Sequence, residues 1–249
     1  MDYFYKKTLS PMYWKDGKFD KNVRRKILKI VNNFIEESEL HIPVLDIRLT
    51  GSLANYNYNK YSDLDTHIIT DFKKISKDVD VVKEALNGMR FVWNLKHNIY
   101  IKGHEVEMYF EDQDEVHIST GVYSLLNQDW VKEPKHNPPD NIDENLLSLK
   151  EFYYIDLINR LVNNLNSATS KDDIKLVYKK ANSIKKKIMK IRSEALKLKG
   201  EYALENLLFK RLRSKHVLEK LVDVINGAYD KFFMESLCYN KLANKFLIS

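Results

Sequence analysis

The segment Glu133-Pro134-Lys135-His136-Asn137-Pro138-Pro139-Asp140 constrains this chain more than any other. It holds three of the five prolines. Proline offers no backbone N–H and clashes with a preceding helical turn, so neither a helix nor a central strand can run through the segment. The hydrophobic period changes across it. Before it, alternating apolar and polar residues typical of half-buried strands are interleaved with helical patterns. After it, apolar residues recur at steps of three and four. The expected fold class is α+β: a small mixed sheet with helices over residues 1–140, then an α-helical bundle over 141–249.

The elements can be placed in more detail. Asp20 is a suitable N-cap for a helix over 21–38 with Val23, Ile27, Ile30, Val31 and Phe34 on one face. A second helix is expected over 77–96, carrying Val81, Val82, Ala85, Leu86, Phe91 and Val92 and interrupted near Gly88. Residues 98–101 and 103–110 read as a hairpin turning at Lys102-Gly103, and residues 121–126 with 129–131 as another. Beyond the prolines, helices are expected over 146–165, 171–199, 203–226 and 228–246. In the second of these Ile174, Val177, Ala181, Ile184, Ile188, Ile191, Ala195 and Leu198 form a narrow seam, and Gly200 is placed to end it. Short links favour an internal partner for that seam in an antiparallel bundle.

Charge follows the same division. Residues 1–140 hold 20 Lys+Arg against 22 Asp+Glu, and residues 141–249 hold 21 against 13, so −2 and +8 make the total of +6. The basic half offers two lysine- and arginine-rich stretches: Lys179, Lys180, Lys185, Lys186, Lys187, Lys190 and Arg192, then Lys210, Arg211, Arg213 and Lys215. They read either as solvated helix faces or as a surface that tracks phosphates. No apolar run approaches the ~20 residues of a membrane span, and residues 1–7 lack the apolar core of a signal peptide. The single cysteine, Cys238, allows no intrachain disulfide. A cytoplasmic location without membrane association is therefore expected. The seven histidines show no zinc-ligand spacing, and Trp14, Trp93 and Trp130 read as packing residues.

The chemistry concentrates in Leu49-Thr50-Gly51-Ser52 and Asp63-Leu64-Asp65. The first ends an alternating strand (Val44 to Leu49) in a Gly-Ser turn, where backbone N–H groups can approach a phosphate. The second opens a strand that continues to Ile69. Successive strand side chains point to opposite faces, so Asp63 and Asp65 project together while Leu64 turns to the core. Two carboxylates on one face repel unless a cation lies between them. Oxygen-only ligands favour Mg²⁺ or Mn²⁺ over zinc.

A two-metal site calls for a third carboxylate from a neighbouring strand, and Gly103-His104-Glu105-Val106-Glu107-Met108-Tyr109-Phe110 supplies it. Glu105 and Glu107 share a face. Glu107, bracketed by Val106 and Met108, is the preferred ligand, with Glu105 nearer the turn.

Gly-Ser, about ten residues, Asp-hydrophobic-Asp and a distant hydrophobic-carboxylate-hydrophobic strand together resemble the DNA polymerase β-type nucleotidyltransferase superfamily. The resemblance covers residues 40 to 112. The Val-Glu-Met setting of Glu107 is most similar to the kanamycin nucleotidyltransferase branch, and the rest of the chain is faintly similar to phage-type members. Thr66 departs from the pattern, which prefers an apolar residue there. The resemblance implies transfer of a nucleoside monophosphate from an NTP to a hydroxyl with release of pyrophosphate. Asp63, Asp65 and Glu107 would hold Mg²⁺ (or Mn²⁺), and Gly51 and Ser52 would bind the terminal phosphates. The acceptor stays open between RNA, a protein and a small molecule. A non-catalytic nucleotide-binding module, or an antitoxin-like protein acting on one partner, is the alternative.

Between the halves of the motif, Asn55-Tyr56-Asn57-Tyr58-Asn59-Lys60-Tyr61-Ser62 is polar with three aromatics. It is either an ordinary surface loop or one in which a tyrosine stacks on a base and Lys60 meets a phosphate. Arg48, which shares a face with Thr50, is placed for the triphosphate or for a cross-strand ion pair.

Overall fold

The computed structural model describes residues 5–39, 41–116, 119–136 and 142–246, with side chains as far as residue 234. Cys238 and His117 therefore lie outside the described side chains. The chain divides within the proline-rich segment into two compact units, Met1–Pro138 and Pro139–Ser249. It is a mixed α+β protein.

In the first unit a short hairpin, β1 (Trp14–Lys15) and β2 (Lys18–Phe19), precedes helix α1 (Lys21–Glu37). The Asp20 carboxylate accepts from the Asn22 and Val23 backbone N–H groups, which starts α1 where the sequence places it. Then follow β3 (Asp46–Leu49), a 3₁₀ turn at Ser52–Ala54, β4 (Leu64–Thr70), the one-turn helix α2 (Phe72–Ile75) and α3 (Val79–Lys96). The unit continues with β5 (Tyr100–Ile101), β6 (His104–Asp112), β7 (Val122–Ser124) and β8 (Asp129–Lys132).

The hairpin expected at Lys102-Gly103 forms, with β5 and β6 antiparallel. Lys102 and Gly103 have φ of 52° and 84°, the two left-handed positions that a tight hairpin requires. Six strands form one sheet in the order β5-β6-β4-β3-β7-β8. β4 and β6 run parallel, and the other neighbours run antiparallel. Parallel neighbours need a long crossover, which α2, α3 and β5 provide.

One face of the sheet is the core. Ile47, Leu49, Leu64, Ile68, Val106, Met108 and Phe110 pack with Val23, Ile27, Val31 and Phe34 of α1 and with Val82, Leu86 and Trp93 of α3. Only part of the apolar set of α3 is buried. Val81, Phe91 and Val92 are exposed, because a helix lying on a sheet buries only a stripe about 100° wide. Gly88 does not interrupt α3.

The second unit is helical: α4 (Glu144–Ser167), α5 (Lys171–Lys199), α6 (Leu204–Ser214) and α7 (Val217–Phe246). The bounds of α5 are those expected, with Ser170 capping its start and Gly200 its end. The α5 seam packs within the unit, chiefly on α7 and also on α4 and α6, except Leu198 in the last turn, which is exposed. The next boundary differs from expectation. The helix expected over 203–226 breaks at Lys215-His216, where His216 takes φ of 56° and Lys215 Nζ reaches Glu151 at 2.5 Å. Gly227, which the sequence suggests as a break, lies inside α7. A Cβ there would stand 3.4 Å from the end of the Leu165 side chain on α4, an ordinary van der Waals distance, so the helix runs through Gly227 without strain. No helix among the described residues is long and apolar enough to cross a membrane.

Candidate functional site

The parallel pairing of β4 and β6 builds the site. Its register sets Leu64 beside Val106, Asp65 beside Glu107, His67 beside Tyr109 and Ile69 beside Glu111. Leu64, Val106, Met108 and Ile68 go to the core, so the residues between them project from the other face. Carried back one step, the same register sets Asp63 beside Glu105. Four carboxylates thus stand in two rows, Asp63 with Glu105 and Asp65 with Glu107. The strands are about 4.8 Å apart and the rows about 6.6 Å apart.

Asp63, Glu105 and Glu107 are all half-buried, and each can offer an oxygen within 4.8 Å of the other two. The preference for Glu107 over Glu105 is thereby modified, since both acids reach Asp63. Asp65 stands apart from this trio, against the Gly51 turn. Gly51 has φ 71° and ψ −157°, a region that essentially only glycine occupies. A Cβ on Gly51 would lie 1.8 Å from Asp65 Oδ2, so the missing side chain is also what admits the carboxylate. The Thr50 N–H donates to the Asp65 carbonyl at 3.0 Å and fixes the turn to β4.

Ser52 ties the two halves of the motif together. Its Oγ donates to Ser62 Oγ at 2.7 Å, and Ser62 Oγ also accepts the Asn59 N–H at 2.9 Å. The loop between is anchored, with Asn55 and Asn57 buried and Tyr58 packed against the core. Tyr56 meets His136 edge-on. Tyr61 is the tyrosine of this loop that stays exposed, and Lys60 Nζ lies 4.8 Å from its ring. Lys60 is exposed, at the loop tip. Arg48 pairs at 3.1 Å with Asp46 of its own strand, not with an acid across the sheet as one reading of the sequence expects.

The next row inward escaped the sequence reading. The Tyr109 hydroxyl donates to Glu107 Oε2. Its ring stacks on His67 with centroids 5.0 Å apart, and the Arg90 guanidinium lies 4.4 Å from the ring centroid. Burial, then the charges of Glu107 and Asp65, push the Tyr109 hydroxyl well above the ordinary tyrosine range, with Arg90 acting the other way. Tyr109 therefore stays a donor. His67 Nδ1 lies 2.7 Å from Glu111 Oε2, and Asp46 also accepts from Ser124 Oγ at 2.7 Å. Strand alternation could have placed His67 and Tyr109 on the acidic face, but their pairing needs the register.

A separate groove of about 500 Å³ lies between the end of α1 and α3, with Met89, Val92, Trp93, Glu37, Lys96 and His97 among its lining. It contains none of the motif residues. No protein-family model, curated protein or solved structure matches the chain.

Proposed function

We propose that the chain is a divalent-metal-dependent nucleotidyltransferase that moves a nucleoside monophosphate from an NTP to an acceptor hydroxyl and releases pyrophosphate. The observation that carries this reading is the register of Asp65 with Glu107 beside the Gly51-Ser52 turn, with Asp63 and Glu105 one row on. The donors are all carboxylate oxygens, and three of them converge within 4.8 Å, which suits a hard cation such as Mg²⁺ or Mn²⁺. A helix-backed sheet with the acids on its free face further supports a nucleotidyltransferase-like first domain.

Asp63, Glu105 and Glu107, whose oxygens converge, would hold the metal, with Asp65 beside Glu107 in the sheet register as the further carboxylate expected to share it. Bound there, it would supply charge neutralisation for the triphosphate and a lowered pKa for the acceptor hydroxyl. The protein's own part is positioning. The Gly51 turn brings backbone N–H groups within reach of phosphate oxygens, and Ser52 Oγ is held in place by Ser62. Glu107, oriented through one oxygen by Tyr109, keeps the other for a ligand or for the acceptor proton. The acceptor oxygen attacks the α-phosphorus, the bond to the β-phosphate oxygen breaks, and no covalent enzyme intermediate is needed.

The test is metal-dependent turnover of each NTP by the wild type and by Asp63→Asn and Asp65→Asn. Both variants should stay folded and lose turnover by about 10³-fold or more. Turnover retained in either would refute the assignment.

A further inference from the structure

Helix α5 carries the most one-sided charge in the chain. Between Asp173 and Glu194 lie eight basic residues and no acidic one, in a chain with 41 basic and 35 acidic residues overall. Its buried edge is Ile174, Val177, Ala181, Ile188 and Ala195. With 3.6 residues per turn, Lys175, Lys179, Lys186 and Lys190 fall within about 60° of one another, directly opposite that edge. They form a ridge about 22 Å long. All four are exposed, as are the flanking Lys180, Lys185 and Lys187. Among the described residues, Lys190 reaches Glu194 at 3.8 Å, and no ion pair joins Lys175, Lys179, Lys180, Lys185, Lys186 or Lys187 to an acid.

A solvated face does not call for this arrangement. Like charges four residues apart repel, and interspersed glutamates would relieve them without loss of solubility. Most of the other basic positions among the described residues of the unit have structural partners. Arg192 Nε donates to Asn206 Oδ1 at 3.0 Å, and its guanidinium covers the Phe209 ring. Arg211 joins Glu144 at 2.5 Å and Glu151 at 3.4 Å, so the Lys-Arg-x-Arg run is partly committed to holding α6 on α4. The ridge of α5 is what remains. The buried edge of the helix is used inside the unit, and the exposed Leu176 and Met189 stand about 140° apart around the helix, so they make no continuous apolar face to insert into a lipid surface.

We propose that the Lys175–Lys179–Lys186–Lys190 ridge binds the phosphate backbone of a single-stranded polynucleotide. This rests on the transferase reading in one respect only: the bound strand then supplies the acceptor hydroxyl. The contact is sequence-independent, because lysines spaced along one line meet phosphates rather than base edges.

Binding is read by fluorescence anisotropy of a labelled single-stranded oligonucleotide, as RNA and as DNA, titrated with the full chain over a salt series without NTP or metal. The wild type should bind with an affinity that falls steeply as salt rises. The fourfold variant Lys175→Gln, Lys179→Gln, Lys186→Gln, Lys190→Gln should lose roughly 3 from the log–log salt slope, at about 0.7 per single-strand phosphate contact. Its dissociation constant should rise at least about tenfold at moderate salt. A control with the same charge change, Lys15→Gln, Lys18→Gln, Lys26→Gln, Lys29→Gln, should bind like the wild type. Circular dichroism verifies the fold of both. Equal affinity for RNA and DNA, or a preference for either, supports the ridge. No binding at low salt, equal losses in the control, or binding to phosphatidylserine vesicles in place of the oligonucleotide would each overturn it. Because no turnover is measured, failure of the transferase reading leaves this result legible.

Discussion

Gly51→Ala separates two demands that one residue meets. The first is conformational. At φ 71° and ψ −157° an alanine is strained by about 1–3 kcal/mol, which lowers the melting temperature by about 3–10 °C for a unit of this size. The second is steric. The new methyl would stand 1.8 Å from Asp65 Oδ2 and 2.8 Å from its Cγ, where real contacts do not fall below 3.0 Å. The oxygen must therefore retreat by at least 3.0 − 1.8 = 1.2 Å. Rotating an aspartate costs the fold little, but a displacement of about 1 Å in a reacting group costs about 10²-fold in rate. Turnover should thus fall about 100-fold, more than the loss of stability alone explains. Gly17→Ala is the control. Its φ is 72°, and nothing lies within 4 Å of the added methyl, so it should lower the melting temperature and leave turnover unchanged. Thermal denaturation and metal-dependent NTP turnover are measured on both. Gly51→Ala turning over like the wild type, or Gly17→Ala losing as much activity, would refute the reasoning.

Two further outcomes follow from hydroxyl groups. Tyr109→Phe keeps the ring between His67 and Arg90 but removes the donor to Glu107; at about 1.5–3 kcal/mol for a hydrogen bond to a charged group, turnover should fall roughly 10- to 100-fold with a nearly unchanged melting temperature. Unchanged turnover would show that Glu107 is held by other contacts. Tyr13 donates to the Ile101 carbonyl at 2.8 Å, and burial pushes its hydroxyl up to about 12 from the usual 10.0. Between those values the unfolded chain gives up its proton before the folded one, so stability is full below the ordinary value and declines as pH rises toward the folded one. The loss from this residue reaches about 2–3 kcal/mol. Alkaline melting curves of Tyr13→Phe should therefore decline less steeply than those of the wild type, and parallel curves would contradict the assignment.

The sequence showed which face each acid occupies but not which acids meet. Alternation placed Asp63 with Asp65 and Glu105 with Glu107, because period two is a local property. Whether β6 lies beside β4, and in what register, depends on the crossover between them. That is why Glu105 was ranked behind Glu107 and why Tyr109 went unnoticed. The bounds of helix α5 were legible because its apolar seam and terminal glycine are local, although Leu198 at the end of that seam is exposed. The break between α6 and α7 was not, since neither glycine nor proline marks it; the Lys215–Glu151 contact lies there and joins residues 64 positions apart (215 − 151). The exposed Val81, Phe91 and Val92 of α3 show the converse limit: apolar composition exceeds what one sheet face can cover.

The parallel pairing of β4 with β6 also has a consequence for assembly. Asp65 and Glu107 stand together only after the intervening segment, with α2, α3 and β5, has closed over the sheet. Loop closure over that span comes late relative to local helix and hairpin formation. On the proposed function, metal affinity would then be a property of the completed unit and of no fragment of it. A divalent cation added during refolding would stabilise the finished state selectively, and the ion would serve as a reporter of the moment the last strand pairs.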